Sequence, residues 1–339
     1  MGRAGVAALI LLAACSHPRP VLSSKPIGKP IGVAAPLGLP LLPAAVTAET
    51  VALGRQLFFD PRLSLDASVS CASCHNPKTA FADPRRFSLG VGGNAGVRNA
   101  PPGANAAYNR LQFWDGRAAT LEEQASGPMM NPVEMAHTPA GVERCCGDLA
   151  PLFAAAFGPA PDGGSPVSLE RITRALADYE RTLLSANSPF DRFFYGGDAA
   201  ALGPSAQRGL KLFRGEANCA ACHLIGARSA LFTDGLFHNL GAGMNAEGEI
   251  ADPGRYAITR RDADQGAFRT PSLRNIALTA PYMHDGSLKS LKEVVDFYVG
   301  GGNANPHRDP LLKPLTFLTG AQRADLVAFL KSLTGESKQ

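Results

Sequence analysis

No apolar run in the 339 residues is long enough to serve as a permanent bilayer-spanning helix, so the chain is not a membrane bundle. No basic run could track a nucleic-acid backbone: Lys plus Arg number 33 against 29 Asp plus Glu, a net charge of +4, and charge selects no partner. Cysteine is sparse and odd in number, and seven thiols make an awkward disulfide scaffold. Tryptophan occurs once. With 45% hydrophobic residues, the chain has room for two soluble domains.

Four of the cysteines fall into one repeated pattern, Cys71-Ala72-Ser73-Cys74-His75 and Cys219-Ala220-Ala221-Cys222-His223. In C-x-x-C-H the two thiols add across the haem vinyl groups and the next imidazole is held where it ligates the iron. A thioredoxin-like redox pair and half of a zinc site are the competing readings, but both normally lack a His directly after the second Cys. Two matches in an exported chain point to two covalent haem c groups, with His75 and His223 as iron ligands. Cys145 and Cys146 remain, expected as small apolar residues on a helix, with an oxidised pair as the lesser reading.

Export is read from residues 1–15. An early Arg3 precedes the apolar stretch Val6 to Leu12, and Leu12-Ala13-Ala14-Cys15 resembles a lipobox, in which Cys15 becomes the lipidated first residue. An ordinary cleaved signal is the alternative. Residues 16–48 are Pro-rich and read as an extended tether without a core. The periplasm, with a lipid anchor to the outer membrane as the one membrane contact, is the expected location.

Helical spacing runs from Leu53 to Phe59, from Leu169 to Leu184, from Ala206 to Arg214 and from Leu318 to Leu333, with Thr319 as N-cap of the last. Gly209 is read as a point of close approach for backbone or haem. Domains are expected at 49–198 and 199–339.

Around the first haem motif the stretch Phe58-Phe59-Asp60-Pro61-Arg62-Leu63-Ser64 resembles the bacterial dihaem cytochrome c peroxidases and their relative MauG. Later segments extend the likeness to Gly335: Arg98-Asn99-Ala100-Pro101, Gln112 to Arg117, Leu121 to Ala125, Gly127 to Met135, Phe268 to Asn275 and Leu278 to Gly286. The resemblance implies a mostly α fold of two cytochrome c-like domains, each carrying one haem c. It implies a calcium ion held by the Asn99 side chain and the carbonyls of Thr279 and Pro281, a hard oxygen set suited to that cation. Trp114 becomes a relay between the haems, and His284 a partner for a haem propionate. Without the likeness Asn99 would be a turn residue and Trp114 a core residue.

By the same resemblance Gln124 and Glu134 face hydrogen peroxide on the first haem, and Pro128 lines that pocket. O–O heterolysis needs a group that takes a proton from one oxygen and returns it to the other, which a carboxylate such as Glu134 can do. Gln124 can hold water or peroxide by hydrogen bonds but cannot shuttle protons. Glu122 and Glu123 are read as solvated. No His lies between His75 and His137, so the His that closes the first haem in many relatives is missing and an open face is expected. At the second haem Tyr298 stands where donor-fed relatives have an axial Met, which is the MauG pattern. Met283 and Met244 are the competing ligands, and a core Tyr is the bland reading.

The function expected is reduction of hydrogen peroxide at the N-terminal haem, with electrons from a periplasmic cytochrome c or cupredoxin through the C-terminal haem. MauG-like oxidation of a partner protein's side chains is the alternative. A dihaem electron carrier without peroxidase activity is the remote one.

Overall fold

The computed structural model describes residues 22–42, 45–245 and 247–338; the leader and Cys15 lie outside them. Among the described residues no helix is long and apolar enough to cross a membrane. The chain is mostly helical: α1 (Ala48–Phe58), α2 (Cys71–Cys74), α3 (Leu121–Met130), α4 (Pro139–Cys145), α5 (Ala150–Phe157), α6 (Leu169–Glu180), α7 (Pro189–Phe194), α8 (Pro204–Arg214), α9 (Tyr256–Thr259), α10 (Leu291–Val299) and α11 (Gly320–Lys331). Among the described residues sheet is confined to antiparallel two-stranded pairs: β1 (Ile31–Gly32) with β2 (Ala45–Val46), β3 (Leu184–Ala186) with β6 (Glu336–Lys338), and β4 (Phe237–His238) with β5 (Phe268–Arg269).

Each domain is built on one helix crossing. In the first, α1 crosses α6 at Gly54, where a Cβ would stand 1.9 Å from the Ala175 carbonyl oxygen. In the second, α8 crosses α11 at Gly209, where a Cβ would stand 2.0 Å from the Asp325 carbonyl oxygen. Only glycine admits such contact. The close approach expected at Gly209 is therefore made by the α11 backbone. Thr47 caps α1 and Thr319 caps α11, each through a capping box. One core gathers Leu53, Leu57, Phe153, Ile172 and Leu176; the other gathers Phe190, Phe213, Phe232, Phe329 and Leu330. Helix α7 belongs to the second core, since the Phe190 ring lies 5.1 Å from that of Phe232 and 5.8 Å from that of Phe329.

The domains repeat each other beyond the helices. Gln112 bridges Ala118 as Tyr282 bridges Leu288, and Phe113 and Met283 share a positive φ of 65° and 70°. Helices α3 and α10 then start identically: Thr120 and Ser290 cap them, and the carboxylates of Glu123 and Glu293 each accept the amide of the residue before the cap at 2.7 Å. At this constant offset Trp114 corresponds to His284, and Pro128 corresponds to Tyr298.

The repeats meet about a pseudo-two-fold axis. The Asn99 amide donates to the His284 carbonyl at 2.7 Å, and the equivalent Arg269 amide donates to the Trp114 carbonyl at 2.8 Å. Arg86 donates to the Asp285 carbonyl at 2.9 Å as Arg255 donates to that of Asp115 at 2.8 Å.

The Pro-rich segment expected as a tether is laid against both domains from residue 22 onward. Ser23 accepts from Arg171 at 2.8 Å and the Ile27 amide donates to Ala156 at 3.0 Å. Farther on, the Gly38 carbonyl accepts from Ala230 at 3.0 Å and from Arg274 at 2.5 Å. A segment without a core of its own can still dock where buried donors need its carbonyls. Arg274 is also paired with Asp191 at 2.8 Å, both side chains being almost fully buried. Removing one partner of a buried pair strands the other charge, at a cost of about 3–5 kcal/mol. Asp191→Ala is expected to lose that much in denaturant unfolding of the haem-loaded protein; a loss under about 1 kcal/mol would show that the pair is not needed.

Candidate functional site

The two C-x-x-C-H motifs are built alike. Cys71 and Cys74 lie on α2, and the His75 amide closes the turn on the Cys71 carbonyl at 2.9 Å; His223 does so on Cys219 at 3.0 Å. Each imidazole directs Nδ1 to a backbone carbonyl, His75 to Phe81 at 2.9 Å and His223 to Phe232 at 2.8 Å. With Nδ1–H donating, Nε2 is left as the metal-binding atom. Both carbonyls come from phenylalanines at positive φ, 62° and 53°, a left-handed backbone that a bulky residue adopts only when its surroundings enforce it. Burial lowers the pKa of both imidazoles, which keeps them neutral, as ligands must be. The Cys71 and Cys219 thiols are pushed up to about 12, also chiefly by burial. That is opposite to the low pKa of a redox-active thiol pair. The surroundings fit covalent haem at both motifs.

Gln124 and Pro128, expected to face the peroxide, sit one turn apart on α3 and share a face. The chain then turns at Asn131: the Glu134 amide donates to the Asn131 carbonyl at 3.0 Å, and the Asn131 amide group donates to Glu134 Oε1 at 2.7 Å. The Val91 amide fixes the Glu134 carbonyl at 2.8 Å. Glu134 is half-buried, and its Oε2 accepts no bond from the described residues. Glu122 is not simply solvated, for it pairs with Arg181 at 2.8 Å, while Glu123 caps its own helix.

Pro128 and Tyr298 hold equivalent places, and they differ in what they can offer a metal. A pyrrolidine ring has no ligand atom. Tyr298 has a hydroxyl, and it lines a cavity of about 430 Å³ together with Cys219, Cys222 and His223. Burial, then the nearby Cys219 and Cys222, raise the pKa of that hydroxyl well above the ordinary value, so only a strong positive charge could ionise it. Met283 also lines the cavity; Met244 does not.

Trp114, Asn99, Thr279, Pro281 and His284 come together along the same cavity. Trp114 is buried and its Nε1 donates to the Asn99 carbonyl at 2.8 Å. His284 stacks on Phe268 with ring centroids 3.6 Å apart, and its buried Nε2 has no partner. Asn99 spends its amide group on the Arg85 carbonyl at 2.9 Å, and among the described residues nothing donates to Asn99 Oδ1 or to the carbonyls of Thr279 and Pro281. Cys145 ends α4 and Cys146 is fully buried behind it, their sulfurs 3.6 Å apart.

Two features of the site escaped sequence reasoning. His238 is held between Asp309 at 2.6 Å and Asp234 at 2.9 Å, and no local motif announces a contact across 71 positions. Arg269 lines the cavity without a carboxylate partner. Aligning the two repeats, which sets it against Asn99, was the signal available.

Residues 48–200 match the family model for di-haem cytochrome c peroxidase, and residues 206–334 match that for cytochrome c. The chain is 43% identical to the methylamine utilization protein MauG of Methylorubrum extorquens over 294 residues, 86% of this chain and 80% of that protein. It is 42% identical to the cytochrome c551 peroxidase of Pseudomonas aeruginosa over 288 residues, 84% of this chain and 78% of that protein. A crystal structure of a MauG-like protein associated with microbial copper homeostasis superposes with a TM-score of 0.75 at 35% identity, covering 90% of this chain and 94% of that one.

The Cys222 thiol, then the Asp309 and Asp234 carboxylates, raise His238 from 6.5 to about 10. Haem attachment removes the thiol but leaves both carboxylates, so the direction holds. A raised folded-state pKa gives stability that is complete below the unfolded value and is lost as pH rises through the folded one. Denaturant unfolding of the holoprotein is expected to show stability falling as pH rises above about 6.5, and His238→Gln to flatten that fall. An unchanged slope in the variant would remove His238 from the cause.

Proposed function

The chain belongs to the di-haem cytochrome c peroxidase and MauG family and is a haem oxidoreductase; on that basis we propose that it reduces hydrogen peroxide in the first domain, using a distal site formed by Gln124, Pro128 and Glu134. The observation that carries this reading is the pairing of Pro128 with Tyr298 across the repeat. On this reading Pro128 would leave the first domain's distal face without a ligand from α3, and Tyr298 would offer the second a hydroxyl.

Cys71, Cys74 and His75 hold one haem, and Cys219, Cys222, His223 and Tyr298 the other. The iron groups supply the centre at which peroxide is cleaved and the reservoir for its oxidising equivalents. Glu134 takes a proton from peroxide at Oε2 while Asn131 holds Oε1, and returns it to the departing oxygen. Gln124 orients the substrate by hydrogen bonds. Trp114 passes charge between the domains, and His284 bonds a propionate through its free Nε2. Asn99 Oδ1 and the carbonyls of Thr279 and Pro281 would hold a calcium ion, the hard oxygen set that such a cation takes.

Electrons come from a periplasmic cytochrome c or cupredoxin, and the lipobox-like Cys15 anchors the chain to the outer membrane. Tyr298 favours a second reading, in which the equivalents oxidise side chains of a partner protein. A hard phenolate stabilises higher iron oxidation states better than a thioether does. Rapid turnover with reduced cytochrome c and peroxide supports the first reading; negligible turnover leaves the second.

Glu134→Gln keeps the shape and the Asn131 contact but cannot move a proton, so peroxide consumption is expected to slow by about 10²- to 10⁴-fold. An unaltered rate takes Glu134 out of the mechanism. Tyr298→Met is expected to raise the midpoint potential of the second haem in spectroelectrochemical titration. No movement there would mean that position 298 does not face the iron.

A further inference from the structure

The pseudo-two-fold axis creates two equivalent niches at the domain interface. One contains Asn99, Thr279 and Pro281. At the same offset its counterpart contains Arg269, Asn109 and Leu111. The first niche presents oxygens to which nothing among the described residues donates, whereas the second is filled by a cation of the protein's own. Arg269 donates from Nη1 to Asn109 Oδ1 at 3.0 Å and to the Thr270 carbonyl at 3.4 Å, and from Nε to the Phe113 carbonyl at 3.3 Å.

This cation is under-satisfied. Arg269 is 5% exposed, its Nη2 has no partner among the described residues, and no carboxylate bonds it. Desolvation alone depresses its pKa to about 10. Other arginines are provided for: the buried Arg274 has Asp191, the half-buried Arg98 has Asp115 and Asp252, and the buried Arg171 has backbone carbonyls on all three nitrogens. A buried guanidinium left without an anion is costly unless an anion arrives.

The anion must come from within the cavity that Arg269 lines with Cys222, His223, Trp114 and His284. We infer that Arg269 binds a propionate carboxylate of the haem attached at Cys219 and Cys222, through Nη2, as the protein-borne counterpart of the cation niche around Asn99. Guanidinium suits this task because its planar fork meets a carboxylate without giving up its other bonds. His284 Nε2 then serves the other propionate. Because Arg269 also receives the Trp114 loop on its backbone amide, it positions that haem edge against the relay residue. The inference rests on haem at the second motif; the calcium reading supplies the analogy only.

The test uses the haem-loaded protein and two variants, Arg269→Met and Arg269→Lys. Two haems per chain, counted by a pyridine haemochrome spectrum, show first that the second motif is loaded, independently of position 269. Resonance Raman then reads the propionate bending band of the second haem, and spectroelectrochemistry reads its midpoint potential. In Arg269→Met the band is expected to shift. The ferric-to-ferrous ratio at fixed potential should rise about tenfold, since a buried positive charge beside the carboxylate is gone. Arg269→Lys should restore most of the potential while leaving the band displaced, because an ammonium cannot reproduce the fork. Wild-type band and potential in Arg269→Met would overturn the assignment. Should Arg269→Met not retain its second haem, Arg269→Lys decides: a displaced band sustains the assignment and an undisplaced one overturns it.

Discussion

Two reciprocal backbone hydrogen bonds, from Asn99 to His284 and from Arg269 to Trp114, set the geometry on which the rest of the molecule depends. They lock two copies of one folding unit face to face, and the lone tryptophan and a buried histidine therefore occupy matching places on either side of the joint. Each unit is self-sufficient: a glycine lets two helices cross at backbone contact, and a strained phenylalanine offers its carbonyl to the histidine of a haem motif. The chemistry then follows from small departures from symmetry.

Three departures matter. Where the second unit presents Tyr298 to its cavity, the first has Pro128, which carries no ligand atom, so the proposed function leaves the first haem open and offers the second a hydroxyl. Where the first unit presents Asn99, the second has Arg269, which turns an oxygen-rich niche into a cationic one. And only the first unit follows its distal helix with a turn that presents a carboxylate, Glu134, braced by Asn131 and Val91. A scaffold that makes two similar haem pockets can in this way give them different work without changing its fold.

Much of this was legible in the residues. The haem motifs, the capped helices and the mostly α class follow from short-range patterns; of the residues named from the family likeness, Trp114 and Tyr298 line one cavity with His223, while Gln124 and Pro128 share a face of α3. What could not be read has a common physical character. The Pro-rich stretch from residue 22 looked like a free tether because composition reports the lack of a core, not the presence of buried donors such as Arg171 and Arg274 that seek its carbonyls. Helix α7 precedes the expected 198/199 boundary, yet its Phe190 ring packs into the second core, a contact that helical spacing does not announce. His238 and Arg269 are defined by what lies opposite them in space, which no local pattern encodes.

Under the proposed function the first haem is open and its oxidising equivalents are shared with the second. Stoichiometric peroxide added to fully ferric protein, with no reductant present and with the haem spectrum and EPR signals followed together, tests it directly. Prompt loss of a high-spin ferric signal along with the low-spin one is the predicted result. Absence of any reaction until one haem has been reduced would contradict it, for it would mean that the first iron has a sixth ligand and that Pro128 does not mark an open face.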